Sequence, residues 1–70
     1  MAAIEHKIIE HIGVLGERGN WNMEVNLISW NEGPVKYDIR TWNEDHTKCG
    51  KGATLTPEEW VSLREVMNNV

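Results

Sequence analysis

Residues 35–59, VKYDIRTWNEDHTKCGKGATLTPEE, decide how the chain folds, because they contain an alternating strand, a polar loop and the start of a helix. Side chains alternate between the two faces of a strand, so one face receives Lys36, Asp38, Arg40 and Trp42. The other face receives Val35, Tyr37, Ile39 and Thr41. This second face is predicted to pack as a core. Two cations beside an indole are typical of a sheet that holds a phosphate backbone while an unpaired base stacks on it.

The end of this stretch predicts a short strand and then a helix. NEDHTKCGKG, residues 43–52, is typical of a polar loop, and residues 53–55 can form a fourth strand. Thr56 supplies an N-cap hydroxyl, Pro57 occupies the first helical position, and Glu59 completes a capping box. The apolar residues that follow recur at helical spacing and predict an amphipathic helix laid on the sheet: Trp60, Leu63, Val66, Met67 and Val70.

The first half of the chain predicts a hairpin. IIEHIGVLG, residues 8–16, indicates a strand, and GERGN, residues 16–20, indicates the turn after it. In WNMEVNLISW, residues 21–30, apolar and polar side chains alternate until the pattern slips at Leu27 and Ile28, where a β-bulge is expected. NEGP, residues 31–34, is the next turn. The predicted order is therefore strand, strand, strand, strand, helix, in the α+β class.

Length and composition indicate a small protein that needs a partner. Seventy residues allow one domain, residues 1–70, and a chain of this size buries only about 60% of the surface that it exposes when unfolded. Cys49 is the only cysteine, so oligomerisation rather than an internal disulfide is expected to add stability, in a reducing compartment. Residues 1–11 do not resemble a secretion signal and no apolar run reaches membrane-spanning length, which favours a cytoplasmic location.

The formal net charge of −4 argues against strong, non-specific binding to double-stranded DNA, which depends on many Lys and Arg contacts to phosphates. The charge is unevenly distributed, however. Four of the seven cations lie in one short segment: Lys36, Arg40, Lys48 and Lys51. They could hold phosphates, or they could form an ordinary solvated face, because three acidic residues lie among them.

Four tryptophans in a chain without phenylalanine require an explanation. Trp60 lies on the apolar stripe of the predicted helix and is expected in the core, and Trp21 is expected in the core or at the rim of the hairpin. Trp30 and Trp42 each end a strand, and Trp42 shares a face with Arg40, so both indoles are candidates for base stacking. The alternative is an interface between two copies of the chain, where tryptophan is also enriched.

No catalytic or metal site is predicted. His46 and Cys49 have the spacing of a pair of zinc ligands, but His6 and His11 are five residues apart and would point to opposite faces of a regular strand. No nucleophile is accompanied by both a base and an orienting group. GKG, residues 50–52, would let backbone amides approach a phosphate but is too short for a phosphate-binding loop. Neither an enzyme nor a cofactor is expected.

Three segments resemble a known family: YDIRTW at residues 37–42, GKGATLT at residues 50–56 and PEEW at residues 57–60. They resemble the positive-cofactor-four transcriptional coactivators, specifically the small bacterial members of the YdbC type, and the similarity continues unbroken through residues 28–60. The resemblance implies a four-stranded antiparallel sheet followed by one helix, assembled as a homodimer. It also implies binding of single-stranded DNA with little sequence preference, in which Trp30 and Trp42 stack bases while Arg40 and Lys51 contact phosphates.

Two hypotheses follow. In the first, a cytoplasmic, nucleoid-associated homodimer binds single-stranded DNA, with RNA left open as a second ligand, and supports transcription, replication or repair. Its nucleic-acid-binding residues are Trp30, Lys36, Arg40, Trp42, Lys48 and Lys51. Because residues 21–30 contain no Lys or Arg, where the family commonly has basic residues, stacking is expected to matter more than charge. In the second, the domain keeps the fold but binds only proteins. Neither hypothesis involves a membrane or a small-molecule substrate.

Overall fold

The computed structural model describes residues 5–70; residues 1–4, part of the segment that does not resemble a secretion signal, lie outside that range. Its elements are β1 (His6–Arg18), β2 (Trp21–Trp30), β3 (Val35–Trp42), β4 (Cys49–Leu55) and α1 (Pro57–Met67). The strands form one antiparallel sheet in the order β1-β2-β3-β4. The predicted order of four strands and a helix is confirmed, and β1 and β4 are longer than predicted. No helix in this part of the chain is long and apolar enough to cross a membrane.

Two tight turns join the first three strands. Gly19 and Asn20 link β1 to β2, and Gly19 has the positive φ, 64°, that a type II′ turn requires at its first central position. Asn31 and Glu32 follow β2 with φ values of 50° and 61°. Positive φ at both central positions is the type I′ pattern, which matches the twist of a hairpin. The predicted turn at NEGP is confirmed.

β1 has 13 residues where its partner β2 has 10, and three register shifts account for the difference. The β1 residues without a partner are Ile9, Ile12 and Leu15. Each such bulge increases the local twist of the strand. A bulge does occur opposite Leu27 and Ile28, where the β1–β2 register shifts between Ile8 and Glu10, but the extra residue, Ile9, belongs to β1, and β2 pairs with β3 without a shift over that region. The pattern slips there because apolar residues change from one face of β2 to the other, not because a residue is inserted in β2.

The two faces of the sheet take their names from residues at the centre of β3. The Arg40 face carries Lys36, Asp38, Arg40 and Trp42, and their partners on β2: Ile28, Asn26, Glu24 and Asn22. The Tyr37 face carries Val35, Tyr37, Ile39 and Thr41. Because directly paired residues project to the same side of a sheet, this register assigns each β2 side chain to a face.

The Arg40 face holds the largest fully buried side chains of the described residues. Asn26, Ile28 and Asp38 are 0% exposed, and Trp42 is 1% exposed. On the Tyr37 face, Val35 is 43% exposed and its neighbours along β3 are only half-buried. The expectation that the Tyr37 face packs as the core is therefore wrong for a single chain. Only one short helix lies over that face, whereas side chains from β1 and from loop 43–48 cover the Arg40 face.

α1 begins as predicted. Glu59 N–H donates to Thr56 Oγ1 at 3.1 Å, and Thr56 N–H donates to the Glu59 carboxylate at 2.9 Å, so the capping box is confirmed. α1 meets the Tyr37 face through Trp60, whose ring stacks on Tyr37 with centroids 4.4 Å apart. No α1 residue is buried, and Met67 is 50% exposed. Trp60 and Leu63 of the apolar stripe are thus half-buried, and the rest of the stripe is uncovered in a single chain.

Candidate nucleic-acid interface

An open cleft of about 370 Å³ lies where β2 ends, and it is lined by Trp30, Asn31, Arg40 and Thr54. The guanidinium carbon of Arg40 lies over the Trp30 ring, 4.7 Å from its centre. This is a cation–π contact. Both an indole and a guanidinium plane can stack on a nucleobase. The structure therefore brings together two of the residues that the sequence predicted, and they lie in the wall of one cleft.

Arg40 is held in place by its neighbours on β3 and β4. Its Nε and Nη2 donate to the two carboxylate oxygens of Asp38 at 2.6 and 2.9 Å. Nη2 also donates to Thr54 Oγ1 at 3.3 Å, and Nη1 donates to the Gly50 carbonyl at 3.4 Å. Burial alone would lower the pKa of Arg40, but the hydrogen bonds and negative charge of Asp38 outweigh burial and raise it. Arg40 is therefore a fixed cation whose charge is partly neutralised.

Trp42 does not project into solvent as expected. It is 1% exposed, and three rings surround it, with centroid distances of 4.7 Å to His6, 5.5 Å to His46 and 6.4 Å to Trp30. The alternation in β3 correctly predicted the face on which Trp42 lies. It could not show that side chains from β1 and loop 43–48 close over that face. The expectation of an exposed Trp42 is wrong, and of the two indoles only Trp30 lines the cleft.

The three lysines predicted to hold phosphates are spread along the sheet. Lys36 is half-buried on the Arg40 face, opposite Ile28. Lys48 and Lys51 are exposed near the other end of β3. None of the three forms an ion pair with a residue in the range 5–70. Lys36 lies on β3, Lys51 on β4 and Lys48 in the loop before β4, so the three lysines come from different segments of the chain.

The glycines on either side of Lys51 have a packing role. A Cβ atom at Gly52 would collide with Arg40 and with the Ile39 carbonyl, and one at Gly50 would collide with the Thr41 hydroxyl. Both glycines belong to β4, where the absence of a side chain lets this strand lie close against β3. The GKG segment is therefore explained by strand packing rather than by an approach to phosphate.

A buried charged cluster lies on the Arg40 face, and no sequence pattern predicted it. Glu24 is 4% exposed and accepts hydrogen bonds from His46 Nε2 at 2.9 and 3.0 Å and from Asn26 Nδ2 at 3.1 Å. His11 Nδ1 lies 2.7 Å from Asn26 Oδ1 and 3.5 Å from Glu24 Oε1. Burial would raise the pKa of Glu24, but the hydrogen bonds from His46 and Asn26 and the nearby histidines lower it overall. The cluster links β1, β2 and loop 43–48.

This cluster corrects the prediction for the histidines of β1. His6 pairs with Trp30 and His11 pairs with Asn26, so both lie on the Arg40 face. The unpaired Ile9 between them shifts the alternation by one residue, which a regular strand does not do. Within residues 5–70 no group of three or more His, Cys, Asp or Glu side chains is arranged to hold a metal ion.

The family model described as Transcriptional Coactivator p15 (PC4) matches residues 18–66. The chain belongs to this family. PC4 proteins bind single-stranded DNA and are not enzymes. A protein of Treponema pallidum (strain Nichols) that is named only "Uncharacterized protein" is 46% identical over 66 residues, which cover 93% of this chain and 78% of that protein. The PC4 resemblance in the sequence is confirmed, and every residue that lines the cleft lies within the matched range. The assignment to the small bacterial YdbC type stays a prediction.

Proposed function

We propose that the protein binds single-stranded DNA on the Arg40 face, with a base stacked against Trp30 and Arg40 in the cleft. The observation that carries this proposal is the 4.7 Å contact between the Arg40 guanidinium and the Trp30 ring in the wall of an open cleft. Membership of the PC4 family supports the same class of ligand. Support of transcription, replication or repair would follow from that binding.

The proposed contact selects unpaired bases. A base can stack on a side chain only when one of its faces is free, and both faces of an internal base are covered in a duplex. With a net charge of −4, the chain also has few Lys and Arg side chains to make the phosphate contacts on which duplex binding depends. RNA presents the same phosphates and, with uracil in place of thymine, similar bases, so it is a second ligand to be tested.

The individual residues have different proposed roles. Lys36, Lys48 and Lys51 contact phosphates, because their ammonium groups have no ion-pair partner among the described residues. Arg40 contributes mainly a flat, fixed surface, because Asp38 neutralises part of its charge. Trp42 supports Trp30 from inside the fold, since the two indoles lie 6.4 Å apart with planes only 10° from parallel.

Two copies of the chain form the proposed binding unit. Among residues 5–70, the buried hydrophobic residues are only Val25, Ile28 and Trp42, and none belongs to α1. A second copy laid against the apolar stripe of α1 would remove from water a surface that one small chain leaves exposed. A homodimer would also double the number of lysines available to a DNA strand.

A fluorescence titration tests the proposed function. Oligo-dT of about 12 nucleotides, added at low salt, is expected to quench tryptophan emission as a base stacks on Trp30. Duplex DNA of the same length is expected to quench it far less, and oligo-U reports on RNA. If no nucleic acid changes the emission, and none shows binding by fluorescence anisotropy of a labelled strand, the proposal is wrong. The alternative of a PC4-fold domain that binds only proteins would then be favoured.

A further inference from the structure

The hydrogen-bonding groups of the cleft carry an inference about base preference, which rests on the proposed function. We propose that the cleft prefers bases with a keto oxygen, which are guanine, thymine and uracil, over bases with an amino group, which are adenine and cytosine. Asn31 is the residue that distinguishes the two classes.

Asn31 is fixed by two hydrogen bonds to the residue before β1. Its backbone N–H donates to the Glu5 carbonyl at 2.8 Å, and its side-chain Oδ1 accepts from Glu5 N–H at 2.8 Å. Because a backbone N–H can only donate, the side-chain atom that faces Glu5 must be the amide oxygen. The Nδ2 group is left free, and no residue in the range 5–70 accepts a hydrogen bond from it. Asn31 therefore offers two N–H donors from a fixed position in the cleft wall.

The other side chains of the cleft add donors but little acceptor capacity. A guanidinium has five N–H groups, and the bonds of Arg40 to Asp38, Thr54 and the Gly50 carbonyl leave one unused. The Thr54 hydroxyl donates its hydrogen to Asp38. The indole N–H of Trp30 also has no acceptor among the described residues, but its nitrogen is buried, so it is not counted among the donors that a base can reach. The side-chain oxygens of Asn31 and Thr54 each accept one hydrogen bond already, so each has only a second lone pair to offer.

A surplus of donors selects a base that presents an acceptor. The exocyclic group at position 4 of a pyrimidine, or at position 6 of a purine, lies far from the sugar and so enters the cleft first. This group is an oxygen acceptor in guanine, thymine and uracil, and an amino donor in adenine and cytosine. A keto base can bond to the free N–H groups. At this position an amino base sets donor against donor and lacks the hydrogen bond that a keto base makes.

Oligo-dU and oligo-dC of about 12 nucleotides test this preference, because the two bases differ only at ring positions 3 and 4. A single repeated base also makes every binding register equivalent. At neutral pH, oligo-dU is expected to bind the full chain about three- to tenfold more tightly, as measured by tryptophan fluorescence. Asn31→Asp keeps the oxygen that accepts from Glu5 but replaces the donor with an acceptor, so the preference should vanish or reverse. Asn31→Gly tolerates the positive φ and should also remove the preference.

Asn20→Asp is the matched control, since it adds the same charge in the other hairpin turn and should keep the preference for oligo-dU. Equal affinity of the unmodified chain for oligo-dU and oligo-dC would overturn the inference and leave the proposed function intact. A preference that survives in both Asn31 variants would also overturn it. No binding of either oligonucleotide would instead contradict the proposed function on which the inference rests. Circular dichroism checks that each variant is folded, and two substitutions at one position ensure that a misfolded variant does not decide the result.

Discussion

Trp30 and Trp42 end adjacent strands on the same face of the sheet, but only Trp30 lines the open cleft. Trp30→Ala is therefore expected to weaken oligo-dT binding by about 1–3 kcal/mol, the range found for one stacked base, without changing the salt dependence. Trp42→Ala removes a fully buried ring and is expected to destabilise the fold by about 3–5 kcal/mol. Urea unfolding without DNA separates the two effects. A Trp42→Ala variant with normal stability and weakened binding would contradict the assignment of Trp42 to the interior.

Glu24 makes the stability of the fold depend on pH. Its pKa in the folded chain lies below the ordinary value of 4.5, even though burial acts to raise it, because His46 and Asn26 donate hydrogen bonds to the carboxylate and the nearby histidines favour its charge. A carboxyl group with a lowered folded pKa stabilises the fold above its unfolded pKa, and that contribution is lost as the pH falls through the folded value.

Glu24→Gln should accordingly reduce the free energy of unfolding by about 1.5–3 kcal/mol at neutral pH, the size expected for hydrogen bonds to a charged group. The difference between this variant and the unmodified chain should shrink as the pH falls below 4.5. Glu10→Gln, at an exposed position on β1, is the control and should change stability little at any pH. Urea unfolding followed across this pH range measures both. A difference for Glu24→Gln that does not vary with pH would show that the carboxylate charge is not responsible.

At the level of elements, regular patterns predicted the structure best. β2 and β3 begin and end at the predicted residues, because recognisable turn segments bound them and the two strands pair with each other without a bulge. The start of α1 was predictable because a capping box depends only on residues within one turn. The same reasoning fails for β1, since three unpaired residues shift its alternation. β4 is longer than predicted because its glycines have low strand propensity, and pairing with β3 overrides that propensity.

The difference between regular local patterns and contacts made by tertiary packing also explains how much of the candidate site the sequence predicted. Arg40 and Trp42 were assigned to one face because β3 is regular, and Trp30 was recognised as the aromatic residue at the end of β2. Asn31 and Thr54 complete the cleft from a turn and from another strand, so no local pattern connects them with Arg40. The burial of Trp42 depends on His6 and His46, which are far apart in the sequence. Such contacts are set by tertiary packing.

β4 also provides the clearest test of electrostatic binding. Lys51 is exposed on this strand and has no ion-pair partner within the described part of the chain. Each phosphate of a single strand that a lysine neutralises adds about 0.7 to the slope of log affinity against log salt, so Lys51→Ala should flatten that slope by this amount. Lys7→Ala, which removes an exposed lysine from β1, should leave the slope unchanged. Titrations at several salt concentrations measure it, and equal slopes for Lys51→Ala and the unmodified chain would remove Lys51 from the interface.

At the level of the whole molecule, a single chain buries little apolar surface. Three of the five buried side chains that the structure describes on the Arg40 face are polar or charged, namely Glu24, Asn26 and Asp38, and hydrogen bonds rather than apolar contacts satisfy them. The Tyr37 face and α1 leave Val35, Val66 and Met67 between 43 and 62% exposed. A chain of this size is only marginally stable even with a complete core. Covering the apolar stripe of α1 with a second copy is therefore expected to supply much of the stability that a single chain lacks.

Two substitutions on α1 test this homodimer. Met67 and Val61 are equally exposed in the single chain, at 50 and 51%, but Met67 lies on the stripe with Trp60 whereas Val61 lies on the other side of the helix. Met67→Glu would place a charge in the dimer contact and should raise the dissociation constant at least about tenfold, since about 1.4 kcal/mol is enough for that change. Val61→Glu adds the same charge and should leave the dimer intact. Light scattering coupled to size exclusion should give twice the 8.1 kDa chain mass for the unmodified protein and for Val61→Glu. A single-chain mass for the unmodified protein at all concentrations would show that the apolar stripe is not covered by a second copy.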